Sequence, residues 1–161
     1  MKLLRKTITA LLSAFSITTG DNAMDQNTLQ ENKQLLANFG AEVFDKKELS
    51  SLHSYMHEGY IQHNPLVPQG LAGFKQFFAD WFNAVPDWSY SLTKIVAEGD
   101  TVWAYGTYSG TQQGDWLGIP ATNKSYSIAA VDIFRIQDGK LAEHWDVIDV
   151  YGLFKQIGVI K

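Results

Sequence analysis

Residues 132–149 read DIFRIQDGKLAEHWDVID. Apolar residues alternate with polar ones on both sides of Gln137-Asp138-Gly139, which is the pattern of two strands joined by a tight turn. Asp132, His144 and Asp146 place ionisable groups among these apolar residues. Gly139 sits where a three-residue hairpin loop needs a left-handed residue. With Gln137-Asp138-Gly139 as that loop, Ile136 opposes Lys140, Asp132 opposes His144 and Ala130 opposes Asp146. All three ionisable groups then share a face. A two-residue Asp-Gly loop shifts the pairing by one and sets His144 opposite Ile133. His144 and Asp146 share a face in either register, because strand side chains alternate.

The period of two extends upstream. Residues 88–97, 101–111 and 124–136 read as strands, with Glu98-Gly99-Asp100 as a turn and 112–123 as a loop containing Gly-Ile-Pro. Before residue 88 the period is helical. Leu29, Leu35, Leu36, Phe39 and Val43 mark one helix over 25–44, with Asp25 or Asn27 to cap it. A short helix over 47–56 follows, then an extended piece broken by Asn64-Pro65. The strongest helix spans 71–85, where Phe74, Phe77, Phe78, Trp81 and Phe82 form a wide aromatic stripe that Pro86 ends. Residues 151–157 allow a last helical turn.

Helices followed by consecutive long antiparallel strands predict an α+β fold. The expected architecture is a curved antiparallel sheet wrapped around N-terminal helices, forming a cone-shaped barrel with one pocket. In such a cone the core helix also forms the cavity wall, so Phe78 and Trp81 are candidates to touch a flat apolar ligand. Trp116, between Gly114 and Gly118, is placed to cover the mouth.

Composition agrees with one domain. The chain has 161 residues, 45% hydrophobic and 13% aromatic, enough for a sizeable core. A net charge of −4 argues against nucleic acid or anionic membrane partners. There are no cysteines, which excludes disulfides and thiolate chemistry. Residues 1–20, MKLLRKTITALLSAFSITTG, have a basic start, an apolar run and small residues, in the order of a secretory signal peptide. The expectation is therefore a leader over 1–20 and a single domain over 21–161, secreted or periplasmic and free of the membrane after leader removal. A true start at Met24 would make it cytoplasmic instead.

Two readings of the Asp132, His144 and Asp146 cluster stand side by side. A carboxylate near imidazole fixes its tautomer, and a carboxylate in an apolar cavity has its pKa raised, which suits proton abstraction beside a carbonyl. A structural Asp–His pair or a solvated outer face would show the same residues. His53 and His57 have a metal-compatible spacing, but such a pair on a surface helix is more often solvated, and no metal is expected. Phosphate-binding loops, the Rossmann glycine fingerprint and the serine nucleophile elbow are all absent.

VDIFRIQDGKLAEHWDVID also resembles the signature of the SnoaL-like polyketide cyclase family, within the nuclear transport factor 2-like superfamily. YIQHNP with the following Gly70 and Phe74, the loop DWLGIPATNK and the tail YGLFKQIGVI fit as well. The resemblance implies a cone, commonly a homodimer through the sheet, and cofactor-free aldol chemistry with an Asp as general acid/base. Asp146 matches that position and His144 a polar pocket residue. His63 and Asn64 match a family motif, and Asp132 a common residue of the preceding strand. The leader departs from the family pattern and points to a different substrate. The expected function is acid/base chemistry, aldol-type cyclisation or isomerisation, on a small apolar carbonyl-bearing ligand. Asp146 would move the proton, His144 would assist, Asp132 would orient His144, and His63 or Asn64 would bind a substrate oxygen. The alternatives are a non-catalytic ligand-binding protein of the same fold and a dimeric scaffold with a filled cavity.

Overall fold

A computed structural model describes residues 25–161. The expected leader lies outside the described residues. Helix α1 (Gln26–Phe39) starts at Asp25, whose carboxylate accepts the Asn27 N–H. It passes directly into a π-helical turn, Gly40–Asp45, which sets Val43 and Phe44 against the core together. A 3-10 turn (Leu49–Ser51) and the one-turn helix α2 (Leu52–Tyr55) follow. Helix α3 (Gly70–Ala84) carries the aromatic stripe inward.

Strands β2 (Ser89–Glu98), β3 (Thr101–Thr111), β4 (Ser125–Gln137) and β5 (Lys140–Ile148) form the expected antiparallel meander. A fifth strand, β1 (Met56–Gln62), adds in parallel at the edge of β5, giving the order β1-β5-β4-β3-β2. The helical expectation over 47–56 therefore gives way near its end, where Met56 turns extended and enters the sheet. Helix α4 (Val150–Ile157) closes the chain; Asp149 caps its first turn by accepting the Gly152 N–H at 2.7 Å.

The hairpin between β4 and β5 differs from both expected registers. The loop has two residues, Asp138 and Gly139, with φ of 52° and 69°, and Gln137 faces Lys140. Two left-handed residues make the turn whose twist matches that of the flanking strands. The pairing then passes from Ile136–Leu141 to Arg135–Glu143, which leaves Ala142 as a bulge. The turn shifts the register by one and the bulge shifts it by one more. Phe134 consequently faces His144, and Asp132 faces Asp146. Because the two shifts restore parity, all three ionisable side chains share the inner face, as expected from the longer loop.

Alternate residues of the strands fill the cone. Val102, Ala104, Phe134 and Leu141 pack against Phe39, Val43 and Phe74 in one core cluster. Trp81, Trp88, Trp116 and Tyr126 gather with Leu153 and Ile157 of α4 in another. Between these clusters the sheet and helices leave a cavity of about 280 Å³, lined mainly by apolar side chains.

Candidate active site

Strand β1 brings the first polar groups to the cavity. Tyr60 and Gln62 are buried while Ile61 is exposed, so the even-numbered residues look inward. Gln62 is 2% exposed and lies beside His144 in the parallel pairing. The Gln69 side chain pairs with both the N–H and the C=O of Gln62, extending the ladder where the strand ends. Asn64 follows in a turn, its Oδ1 accepting the Leu66 N–H at 2.8 Å.

The network that joins these groups fixes its own protons. Gln62 Oε1 accepts the Asn64 N–H at 2.9 Å, and Gln62 Nε2 donates to the Tyr60 hydroxyl at 3.0 Å. The amide orientation is therefore set, and His144 Nδ1, 3.0 Å from the same oxygen, must donate. His144 Nε2 then faces Asp132 Oδ1 at 3.2 Å. The Tyr108 hydroxyl donates to the two oxygens of Asp132 at 2.6 and 2.7 Å. Asp132 and His144 thus share one hydrogen bond in a setting where both residues are over 90% buried. Burial first, and the Asp132 carboxylate second, push the Tyr108 hydroxyl well above its ordinary pKa and keep it a donor.

Asp146 is half-buried on the same face. Its Oδ2 accepts from Asn64 Nδ2 at 2.6 Å, and Oδ1 accepts no hydrogen bond among the described residues. Burial raises its pKa above the ordinary carboxylate value, and the Asp132 carboxylate adds a smaller push upward. The Asn64 hydrogen bond and His144 oppose that rise without cancelling it. One carboxyl oxygen is thus anchored while the group is kept a stronger base than a solvated aspartate.

Asp146, His144, Asp132, Asn64, Phe78 and Trp81 all line the cavity. His63 does not. It falls on the outer face by alternation, with Nε2 at 2.7 Å from Glu143 Oε1 and its ring stacked 4.6 Å from Trp145. That position corrects the expectation that His63 contacts substrate. Asn64, already committed to Asp146 and Leu66, holds the carboxyl in place. Gln62, Tyr108 and Tyr90 are cavity residues that the sequence reading passed over. Their signal is the alternation Tyr60, Gln62, Asn64 and the inward parity of Tyr108 with Ala104, both visible once β1 and the inner face of β3 are known.

Trp116 packs on Trp81 at a ring distance of 4.3 Å and on Phe77 at 5.9 Å. It is seated by a small hairpin in which Trp116 pairs with Ile119 across Leu117 and Gly118. The buried Gln112 amide holds this loop by donating to the Gly114, Ile119 and Pro120 carbonyls and accepting the Thr122 hydroxyl. His53 and His57 do not converge: His53 Nδ1 bonds the Ser50 carbonyl, and His57 Nδ1 accepts the Gly59 N–H within β1.

Comparison with known proteins gives consistent findings. The model of the SnoaL-like polyketide cyclase family matches residues 34–157. Aklanonic acid methyl ester cyclase DauD of Streptomyces sp. (strain C5) is 31% identical over 111 residues, 66% of this chain and 66% of its own. The chain thus spans about two thirds of that relative's length. Nogalonic acid methyl ester cyclase of Streptomyces nogalater is 28% identical over 121 residues, 72% of this chain and 90% of its own. Among solved structures, TsrD from Streptomyces laurentii superposes with a TM-score of 0.75 at 36% identity, covering 85% of this chain and 99% of its own.

Proposed function

This chain belongs to the SnoaL-like polyketide cyclase family, and from that premise we propose that it performs cofactor-free acid/base chemistry, an aldol-type cyclisation or an isomerisation, on a small apolar carbonyl compound. The observation that carries the reading is Asp146: a carboxyl group in an apolar cavity wall, anchored through one oxygen and made more basic by burial.

In the aldol case Asp146 takes the proton from a carbon flanked by carbonyls, and the electron pair moves onto oxygen as an enolate. The enolate carbon attacks a second carbonyl of the same molecule and closes the ring. Asp146 returns its proton to the new alkoxide, so no redox partner or cofactor is consumed. Both nitrogens of His144 are already engaged, by Gln62 and Asp132. His144 is therefore a positioning group that holds Gln62 and Asp132 in place beside Asp146. The apolar wall of Phe78, Trp81 and Phe134 strengthens the electrostatic interactions of the site.

The same reading includes export of a mature chain that begins near residue 21, tested by mass spectrometry of its N-terminus. It also includes a homodimer through the convex side of the sheet. Val96, Trp103, Tyr105 and Val147 are all exposed there, on adjacent rungs of β2, β3 and β5.

The decisive experiment pairs ring closure of aklanonic acid methyl ester with enzyme-dependent deuterium exchange at the activated carbon of ethyl 2-naphthoylacetate. Asp146→Asn should slow whichever reaction the wild type catalyses by about 10²–10⁴-fold. An unchanged rate removes Asp146 from the mechanism. Saturable binding with neither exchange nor product makes this a ligand-binding protein instead.

A further inference from the structure

Two hydroxyls in the cavity wall have no work to do within the protein. Tyr90 and Tyr126 both line the cavity, and the hydroxyl oxygen of each is buried without a hydrogen-bond partner among the described residues. Tyr126 is 4% exposed. A buried hydroxyl left unpaired costs about 1–3 kcal/mol, so an inward-facing phenylalanine would be the more stable choice at each position. The neighbouring Tyr108, edge-on to Tyr90 at 5.1 Å, shows the contrast, since its hydroxyl is fully used by Asp132.

Both rings are held by the fold. Tyr90 lies across Gly106, where any side chain would collide with the ring and with the Ser91 carbonyl. Tyr126 pairs with Gly110 on β3 and packs at 6.2 Å from the Trp81 ring. Roughly 20 Å of extended strand separates the Tyr126 backbone from that of Asp132, so this hydroxyl belongs to a different part of the wall from the acid/base groups. Burial pushes both phenols above their ordinary pKa and keeps them O–H donors.

We infer that Tyr90 and Tyr126 are specificity-determining donors that hydrogen-bond acceptor oxygens on the rim of a flat apolar ligand, Tyr126 remote from the acid/base groups and Tyr90 next to the Tyr108–Asp132 pair. This rests on the reading of the cavity as a ligand site and narrows its ligands to oxygenated ones. A bare hydrocarbon of the same shape leaves both donors unpaired and is discriminated against. A carbonyl or ether oxygen at either position satisfies one of them.

The test uses the full chain and two probes of nearly identical shape, fluorene and 9-fluorenone, titrated by tryptophan quenching. Wild type should bind fluorenone about fivefold or more tightly than fluorene. At least one of Tyr90→Phe and Tyr126→Phe should shrink that preference, and the double variant should abolish it with fluorene affinity unchanged. Each single variant should melt at the wild-type temperature or higher, because it removes an unpaired polar group. Equal binding of the two probes by wild type, a preference retained in the double variant, or a melting temperature lowered by several degrees would each overturn the inference. Asp146→Asn should keep the fluorenone preference. Full turnover in that variant would defeat the acid/base reading and leave this one standing.

Discussion

Asp132 stands directly opposite Asp146 across β4 and β5. Two carboxyl groups on facing positions of one strand pair repel each other unless something neutral or cationic lies beside them. Here His144, one inward position earlier on β5, bonds Asp132, and the Asn64 amide bonds Asp146. The pairing accommodates Ala142 as an extra, bulged residue in β5. Deleting Ala142 should remove the bulge and leave Leu141 opposite Ile136 and Glu143 opposite Arg135, so that His144 and Asp146 stay on the inner face and turnover survives. Inserting one alanine between Glu143 and His144 should instead turn every later residue of β5 to the opposite face, with His144 and Asp146 toward solvent and Trp145 forced inward. The expected result of the insertion is loss of all Asp146-dependent turnover and a fall in stability of at least about 2–3 kcal/mol in urea titration. Ala142→Gly, which keeps the count, should leave the site assembled and retain turnover.

Asp146 predicts two pH effects of known sign. Its pKa in the folded protein is raised above the ordinary aspartate value of 3.8, chiefly by burial. The native state therefore binds more protons than the unfolded chain from about that value up to the raised one. Through this window the Asp146 contribution to stability falls as pH rises, and in Asp146→Asn that decline should be absent. The basic form is populated only above the raised value. The acidic limb of kcat/KM should accordingly lie above 3.8 and vanish in the asparagine variant. A wild-type limb at the ordinary aspartate value would refute the burial argument.

Gln62 predicts a stability cost with a distinct kinetic consequence. Its Oε1 serves both the Asn64 N–H and His144 Nδ1. Gln62→Leu leaves both donors without that acceptor and should cost about 1–3 kcal/mol. Because Asn64 anchors Asp146, turnover should fall as well, with the change mainly in kcat and not in KM. Gln62→Glu restores an acceptor to both donors and should recover part of each loss. A leucine variant with wild-type stability would mean that the amide is not holding the histidine.

The strand meander was legible because its four strands alternate cleanly and glycine turns separate them. The shared face of His144 and Asp146 was legible for the same reason, whereas Asp132 joins them only because the two-residue turn and the Ala142 bulge cancel. What failed was the register, since nothing in Lys140-Leu141-Ala142 distinguishes a bulge from a regular strand. Leu141 and Ala142 are both buried, a pattern that alternation alone forbids, but only the fold reveals it. An extended piece before Asn64-Pro65 was legible, but the place of β1 in the sheet was hidden for another reason. Its partner is more than 80 residues away in sequence, and its seven residues read MHEGYIQ, with His57, Glu58 and Gly59 in a row. Long-range pairing with β5 outweighs that weak local propensity. Without β1, Gln62 could not be assigned inward, nor His63 outward.

His63 supplies the simplest check on that assignment. It pairs with Glu143, which Arg135 also bonds at 2.8 Å on the outer surface. Arg135 first and His63 second hold the Glu143 carboxyl below its ordinary pKa. Both bonds are accessible to solvent, where such pairs contribute little. His63→Ala should leave kcat and KM within about twofold of wild type and change stability by under about 1 kcal/mol. A loss of turnover approaching that of Asp146→Asn would return His63 to the site.

The convex side of the sheet gives the last prediction. Trp103 is 47% exposed and Val147 68%, on the interior strands β3 and β5 that flank the central β4, where neither solubility nor local packing favours large apolar groups. Ile133 and Trp145 extend the Trp103 rung, and Val131 joins Tyr105 to Val147. A second copy seated on this face would bury all of these residues against their own counterparts about a two-fold axis. Sedimentation should show a dimer for wild type. Trp103→Glu and Val147→Lys should each shift it toward monomer, because a charge at the centre of a self-complementary apolar patch meets its like across the axis. Neither residue faces the cavity, so fluorenone binding should survive in a folded monomer. A wild-type chain that sediments as a monomer at all concentrations would leave the apolar face without this partner.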